Sequence, residues 1–273
     1  MAISAKEVKE LRDRTGAGMM DCKKALQETG GDLEAAIDLL RSKGAAKAAK
    51  RAGKETSEGA VASHIAGTVG ALVEVNCETD FVARTDDFQG LVQELAEHVA
   101  KHAESGAGEG GALLEQPFMG GDRTVDQVVT GVSAKTGEKI VVNRYARFET
   151  DGTLGEYVHM TGKIGVLVEL GGGSGQLARD VAMHVAAANP LGVSREDVPE
   201  DVVARERGVF EEQVRQEGRP EHIQAKIVEG KLGKFFKESA LVEQPFVKDP
   251  DRTVGELVGD ATVRRFVRYE LGE

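Results

Sequence analysis

Val69-Gly70-Ala71-Leu72-Val73-Glu74-Val75-Asn76-Cys77-Glu78-Thr79-Asp80-Phe81-Val82-Ala83-Arg84 is the stretch from which the fold reads outward. Val69, Ala71, Val73 and Val75 alternate with Gly70, Leu72, Glu74 and Asn76, the period of a strand. The polar residues that follow cannot continue it. Thr79 and Asp80 carry side-chain oxygens suited to a turn or a helix N-cap. Phe81 comes directly after them, in a chain that is only 4% aromatic. Taken alone, a large apolar side chain reads as core. The rest of the chain reverses that reading.

From Gly59 onward the sequence repeats itself. Val69-Gly70-Ala71-Leu72-Val73-Glu74-Val75 returns as Ile164-Gly165-Val166-Leu167-Val168-Glu169-Leu170, and His98-Val99-Ala100 as His184-Val185-Ala186. Glu115-Gln116-Pro117-Phe118 returns as Glu243-Gln244-Pro245-Phe246, and Asp122-Arg123-Thr124-Val125 as Asp251-Arg252-Thr253-Val254. Arg144-Tyr145-Ala146-Arg147-Phe148-Glu149 returns as Arg265-Phe266-Val267-Arg268-Tyr269-Glu270. Each copy reads strand, strand, helix and a final strand, a small antiparallel sheet with helical cover. The strands are offset by 95 residues and the histidines by 86, so the first copy holds 9 extra residues around Thr79–Arg84. The second copy has only Gly171-Gly172-Gly173-Ser174-Gly175 there. A residue the fold requires should recur in both copies. Phe81 does not recur, and so it reads as a protrusion.

Gln116 and Gln244 are offset by 128, which leaves 42 extra residues in the second copy. They form two charged helical stretches, about Pro199–Gln216 and Pro220–Lys237, joined by Glu217-Gly218-Arg219. Proline at a first helical turn and a glycine connection suit an antiparallel hairpin. Val202, Val209, Gln213 and Val214 facing Ile223, Ile227 and Leu232 give it a thin apolar seam. Either a solvated appendage or a docking arm fits. Ahead of the repeats, Thr15-Gly16-Ala17-Gly18 and Gly30-Gly31 separate three apolar helical faces, the third capped by Asp32. Residues 42–58, rich in Ala and Lys, read as a partly helical linker. The fold class is therefore α+β: a three-helix bundle with linker (1–54), core subdomains over 55–150 and 151–273, and a hairpin insert at about 197–240. The glycine-rich run Gly106–Gly111 reads as flexible linker.

Net charge is −11, unevenly spread. Residues 1–54 hold 12 Lys/Arg against 8 Asp/Glu, and the remainder 23 against 38. An acidic body repels a phosphate backbone, which argues against nucleic acid and for a protein partner. No apolar run approaches the roughly 20 residues that cross a bilayer, and the charged N-terminus does not read as a secretory signal. Two distant cysteines, Cys22 and Cys77, argue for a reducing compartment and against a metal site, with cytoplasm the default. No phosphate-binding GxxxxGK[ST] run and no nucleophile–base signature is present. His98 and His102 lack the glutamate of a metal-binding HExxH, and read as helix-face histidines.

The segment Lys9-Glu10-Leu11-Arg12-Asp13-Arg14-Thr15-Gly16-Ala17-Gly18-Met19-Met20-Asp21-Cys22-Lys23-Lys24-Ala25-Leu26 resembles the N-terminal signature of the elongation factor Ts family. Glu74 to Ala83, the duplication, the hairpin insert and Gln244-Pro245-Phe246-Val247 fit the same family, so the resemblance spans essentially the whole chain. It implies a guanine nucleotide exchange factor for the GTPase elongation factor Tu, with no cofactor and no nucleotide of its own. The first module would be a ubiquitin-associated-like bundle gripping the GTPase, with Leu11, Met19, Met20 and Lys23 on or beneath the contact. Thr79, Asp80, Phe81 and Val82 would enter near the partner's magnesium and disturb its coordination. The second sheet would face another domain of the partner, with Thr136-Gly137, His159 and Val247 at matching contact positions. Some members continue into a further C-terminal helix, whereas this chain stops at Glu273, so exchange would rest on bundle and core. The rival readings are a ubiquitin-associated-like adaptor without exchange activity and a small hydrolase, which would need a pocket of convergent titratable groups.

Overall fold

The computed structural model describes residues 3–218 and 220–273. Met1, Ala2 and Arg219, the last in the expected hairpin connection, lie outside the described residues.

The chain begins with α1 (Ala5–Thr15), α2 (Met19–Glu28) and α3 (Leu33–Lys50). Ser4 and Glu7 form a capping box at the start of α1, and Gly16 closes it in the left-handed conformation at φ 69°. Asp32 Oδ1 accepts from the Ala35 amide at 3.0 Å, capping α3. The three helices close over Leu11, Cys22, Ala25, Leu26 and Ala36. The expected partly helical linker is helical as far as Lys50, where α3 ends. Alanine and lysine are strong helix formers, and at Gly44 this extension lies against the next helical layer: a Cβ there would stand 3.7 Å from Ala134.

The first sheet has strand order β1-β2-β4-β3, from β1 (Glu58–Ala66), β2 (Val69–Cys77), β3 (Gly106–Glu109) and β4 (Ile140–Glu149). One turn of helix, α4 (Asp80–Ala83), and the long α5 (Asp86–His102) follow β2, and α6 (Val125–Thr136) precedes β4. The second copy repeats the plan as β5 (Thr153–Val158), β6 (Ile164–Gly171), α7 (Gly175–Ala188), α10 (Val254–Val258) and β9 (Thr262–Glu270), with sheet order β5-β6-β9. Every pairing within these sheets is antiparallel. The glycine run expected to be a flexible linker is instead the edge strand β3, paired with β4. Glycine is required in that run by close approach: a Cβ at Gly110 would meet the Val142 carbonyl oxygen at 2.1 Å, and one at Gly108 the Tyr145 ring at 2.9 Å.

The two copies share one core between their sheets, built from Val61, Leu72, Ala146, Phe148, Leu167 and Tyr269. Repeat-equivalent glycines permit the approach. A Cβ at Gly70 would lie 2.9 Å from Leu167 Cδ1, and one at Gly165 would lie 2.4 Å from Val61 Cγ1. Buried Glu74 accepts from Arg144 Nε at 2.6 Å, and Glu169 from Arg265 Nε at 2.6 Å. Each strand has its β-bulge beside that glutamate. The arginines then cross over: Arg144 stacks on Tyr269 at 4.4 Å, and Arg265 on its equivalent Phe148 at 4.1 Å.

The repeated histidines are staples. The Met119 amide donates to His98 Nδ1 at 3.1 Å and the Val247 amide to His184 Nδ1 at 3.2 Å. Each Nε2 sits beside a glutamine Oε1, at 3.1 Å from Gln116 and 2.9 Å from Gln244. An accepting Nδ1 places the ring proton on Nε2, so both rings are neutral. Burial is the first cause holding both below the ordinary histidine range.

Between α7 and α10 the insert forms α8 (Glu200–Gln216) and α9 (Glu221–Ser239), followed by the short strands β7 (Pro245–Phe246) and β8 (Asp249–Thr253). Of the residues expected in the hairpin seam, Val214, Ile227 and Leu232 lie in it, while Val202, Val209, Gln213 and Ile223 do not. Val203, Phe210 and Val214 face Ile227, Val228, Leu232 and Phe236, while Val209 is exposed. The helical phase is set by the large Phe210 rather than by the valine next to it.

Candidate functional site: an exposed aromatic turn

At the end of β2 the chain must turn, because Glu78, Thr79 and Asp80 replace the apolar alternation. Thr79 adopts extended dihedrals as the N-cap of α4, and its Oγ1 accepts from the Val82 amide at 3.4 Å. The turn is anchored beneath. Val82 and Ala83 are buried in the first core. Thr85 Oγ1 donates to the Val82 carbonyl at 2.8 Å, and Gln89 Nε2 to the Ala83 carbonyl at 2.6 Å. Cys77 Sγ donates to the Thr79 carbonyl at 3.2 Å, and burial followed by the Glu138 charge pushes this thiol up to about 12.

Phe81 points the other way and is 80% exposed. Asp80 beside it is ion-paired with Arg84 at 2.9 Å. The turn thus presents one aromatic ring flanked by charge, on a backbone whose next two residues are fixed in the core.

The other residues singled out from the sequence fall in distinct places. Met19 and Met20 are exposed at the start of α2, and Lys23 is exposed one turn on. Leu11 is fully buried in the bundle and so can act only by shaping it. Thr136 and Gly137 lie not on the second sheet but at the end of α6, where Gly137 is the left-handed C-cap at φ 83°. They adjoin Glu138, whose carboxylate binds Thr79. His159 is half-buried in the β5–β6 turn, with Nδ1 3.2 Å from Tyr157 Oη. That turn reaches the start of β1 through a Val61 amide to Gly162 carbonyl bond of 2.8 Å and the Lys163–Glu58 ion pair. Since Glu58 pairs with Cys77, the turn shares the sheet end that carries Phe81. Val247 is exposed near α7, remote in sequence from these and held by His184.

The bundle approaches the same region. Lys135 of α6 is ion-paired with Asp87 at the start of α5, and a Cβ at Gly16 would lie 3.9 Å from the Lys135 side chain. Two residues escaped sequence reasoning. Glu138 is 59 positions from Thr79, and no local pattern marks it. Met160 is 93% exposed beside His159, and a methionine in a polar turn was the available signal.

Among the described residues no group of three or more His, Cys, Asp or Glu could hold a metal ion, and no helix is long and apolar enough to cross a membrane. What the geometry offers is a set of exposed apolar tips on firmly anchored turns, the makings of a protein-docking chain. A family model described as elongation factor TS matches residues 78–273. The chain is 45% identical over 281 residues to elongation factor Ts of Halothermothrix orenii. It is 50% identical over 278 residues to that of Methylococcus capsulatus and 50% over 279 to that of Alkalilimnicola ehrlichii. Each match covers all of this chain and 93% of the relative. The chain belongs to the elongation factor Ts family, and is by that membership a translation elongation factor.

Proposed function

We propose that the chain is a cytoplasmic guanine nucleotide exchange factor that binds elongation factor Tu·GDP and promotes GDP release, without covalent chemistry of its own. The observation that carries this reading is Phe81, 80% exposed on a turn whose following residues are buried. In this account the unit over 1–54 grips the GTPase through Met19, Met20 and Lys23. The unit over 55–150 delivers Thr79, Asp80, Phe81 and Val82 beside the partner's magnesium. The unit over 151–273 adds His159 and Val247, while Thr136-Gly137 extends the contact at the end of α6.

The physics needs no general acid or base. Magnesium balances much of the phosphate charge in a GTPase site, so disturbing the ion weakens the nucleotide. Coupling is reciprocal: a factor that lowers GDP affinity must lose affinity in the same ratio when GDP binds. Three decades of coupling require about 4 kcal/mol of differential binding. Release of fluorescent GDP from elongation factor Tu, followed by stopped flow with and without the chain, tests the reading. Acceleration is expected. Binding without acceleration would instead describe an adaptor, and would refute exchange.

A further inference from the structure

We infer that Glu138 is a positioning residue for exchange: its carboxylate aims the Phe81 turn through Thr79. The inference rests on the exchange reading above and adds to it the residue that sets the turn's direction.

A four-residue helix cannot hold its own direction. Phe81, being mostly exposed, contributes little to its own placement. Its direction is therefore set by what grips the backbone on either side. On the C-terminal side the grip is burial of Val82 and Ala83, with Thr85 and Gln89 on their carbonyls. On the N-terminal side Cys77 Sγ donates to the Thr79 carbonyl at 3.2 Å, and the Thr79 amide and hydroxyl are both held by one carboxylate. Glu138 Oε2 accepts from the Thr79 amide at 3.0 Å, and Oε1 from Thr79 Oγ1 at 2.6 Å. By accepting the hydroxyl's hydrogen bond, Glu138 turns a Thr79 lone pair towards the Val82 amide, which donates to it at 3.4 Å. The N-cap thus depends on a residue 59 positions away. Hydrogen bonds to an ionised acceptor are the strong kind.

The contact is one half of a reciprocal clasp. The Lys139 amide donates to Glu78 Oε1 at 2.7 Å, so residues 78–79 and 138–139 each bind the other's backbone. Lys139 Nζ continues outward to the carbonyls of Ala52 and Lys54, at 2.7 and 3.0 Å. Those carbonyls belong to the segment joining the bundle to β1. A single dipeptide therefore ties the aromatic turn to the root of the bundle. Ser133 Oγ, donating to the Glu138 carbonyl at 2.5 Å, fixes the dipeptide to α6.

The test is stopped-flow GDP release from elongation factor Tu over a range of chain concentrations, for the unsubstituted chain, Phe81→Ala, Glu138→Ala, Glu138→Gln and the Phe81→Ala/Glu138→Ala double variant. Glu138→Ala is expected to lower the saturating release rate about tenfold, roughly 1.4 kcal/mol, with the half-saturating concentration unchanged. Glu138→Gln keeps one acceptor and is expected to fall between. In the Phe81→Ala background, Glu138→Ala is expected to cost nothing further, since the ring it aims is gone. Equal losses in both backgrounds, or a loss confined to the half-saturating concentration, would overturn the inference. If Phe81→Ala itself leaves release unchanged, the exchange reading falls, and this inference with it. Should Glu138→Ala fail to fold, a single fluorinated phenylalanine at position 81 reports on the free Glu138→Gln chain. A changed fluorine shift is expected, and an unchanged one overturns the proposal.

Discussion

If Phe81 is the exchange tip, replacing it with alanine is expected to separate exchange from folding. The ring is 80% exposed, so its removal takes almost nothing from the core. Surface changes of this kind stay within about 0.5 kcal/mol, and the melting temperature should hold. Against a partner the arithmetic differs. An aromatic side chain can bury about 150–250 Å², and four-fifths of that at about 25 cal/mol per Å² comes to roughly 3–5 kcal/mol. Alanine keeps the β-carbon, and docking fills the pocket imperfectly, so about 1.4–4 kcal/mol is the range to expect, a ten- to thousandfold slower release. The assay is displacement of fluorescent GDP from elongation factor Tu at saturating chain, with thermal melts run alongside. A release rate equal to that of the unsubstituted chain would refute the reasoning. So would a large fall in melting temperature, because it would mean the ring supports its own fold.

Gly165→Ala forces a methyl to within 2.4 Å of Val61 Cγ1 in the shared core. It should cost about 1–3 kcal/mol in chemical denaturation, while Gly131→Ala, in open space on α6, should stabilise by about 0.5–1 kcal/mol. His98 and His184 have folded values lowered by burial. Above the unfolded value of 6.5 both states are neutral and nothing is lost; as pH falls below it the unfolded chain takes up protons that the folded chain refuses, and stability declines until the lowered folded values are reached. Melts between pH 7.5 and pH 5, with NMR titration of the two rings, check this, and either ring titrating at or above 6.5 would contradict it. Cys22 and Cys77 are both buried, with thiols raised chiefly by desolvation. Neither should react with a thiol reagent at pH 8 in the native chain, and both should react on unfolding.

Much of the architecture was legible because duplication lets a sequence be compared with itself. The offset between Val69–Ile164 and His98–His184 isolated the turn at Thr79–Arg84, and its outward-facing ring follows from a residue present in one copy and missing from the other. What stayed hidden was of three kinds. Contacts between distant residues leave no local trace, as with Glu138 and Thr79. Glycines required by close approach look like glycines required by flexibility, so Gly108 beneath Tyr145 passed for linker. Helical phase is also ambiguous where apolar residues are adjacent, as at Val202-Val203 and Val209-Phe210, and only the packed partner decides it. The placement of Thr136-Gly137 beside the first copy's turn rather than on the second sheet is of the first kind.

The crossed arginines carry a historical implication. Arg144 covers Tyr269 while Arg265 covers Phe148, and Gly70 faces Leu167 while Gly165 faces Leu72 and Val61. Each half offers the other the same groups it receives. That is the pattern of an isologous two-fold interface, in which a single surface is its own complement. A lone repeat unit, without the bundle or the hairpin, would meet each of those contacts by pairing with a second copy of itself. Tandem duplication of such a unit accounts for both halves, and the turn that carries Phe81 is present in only one of them.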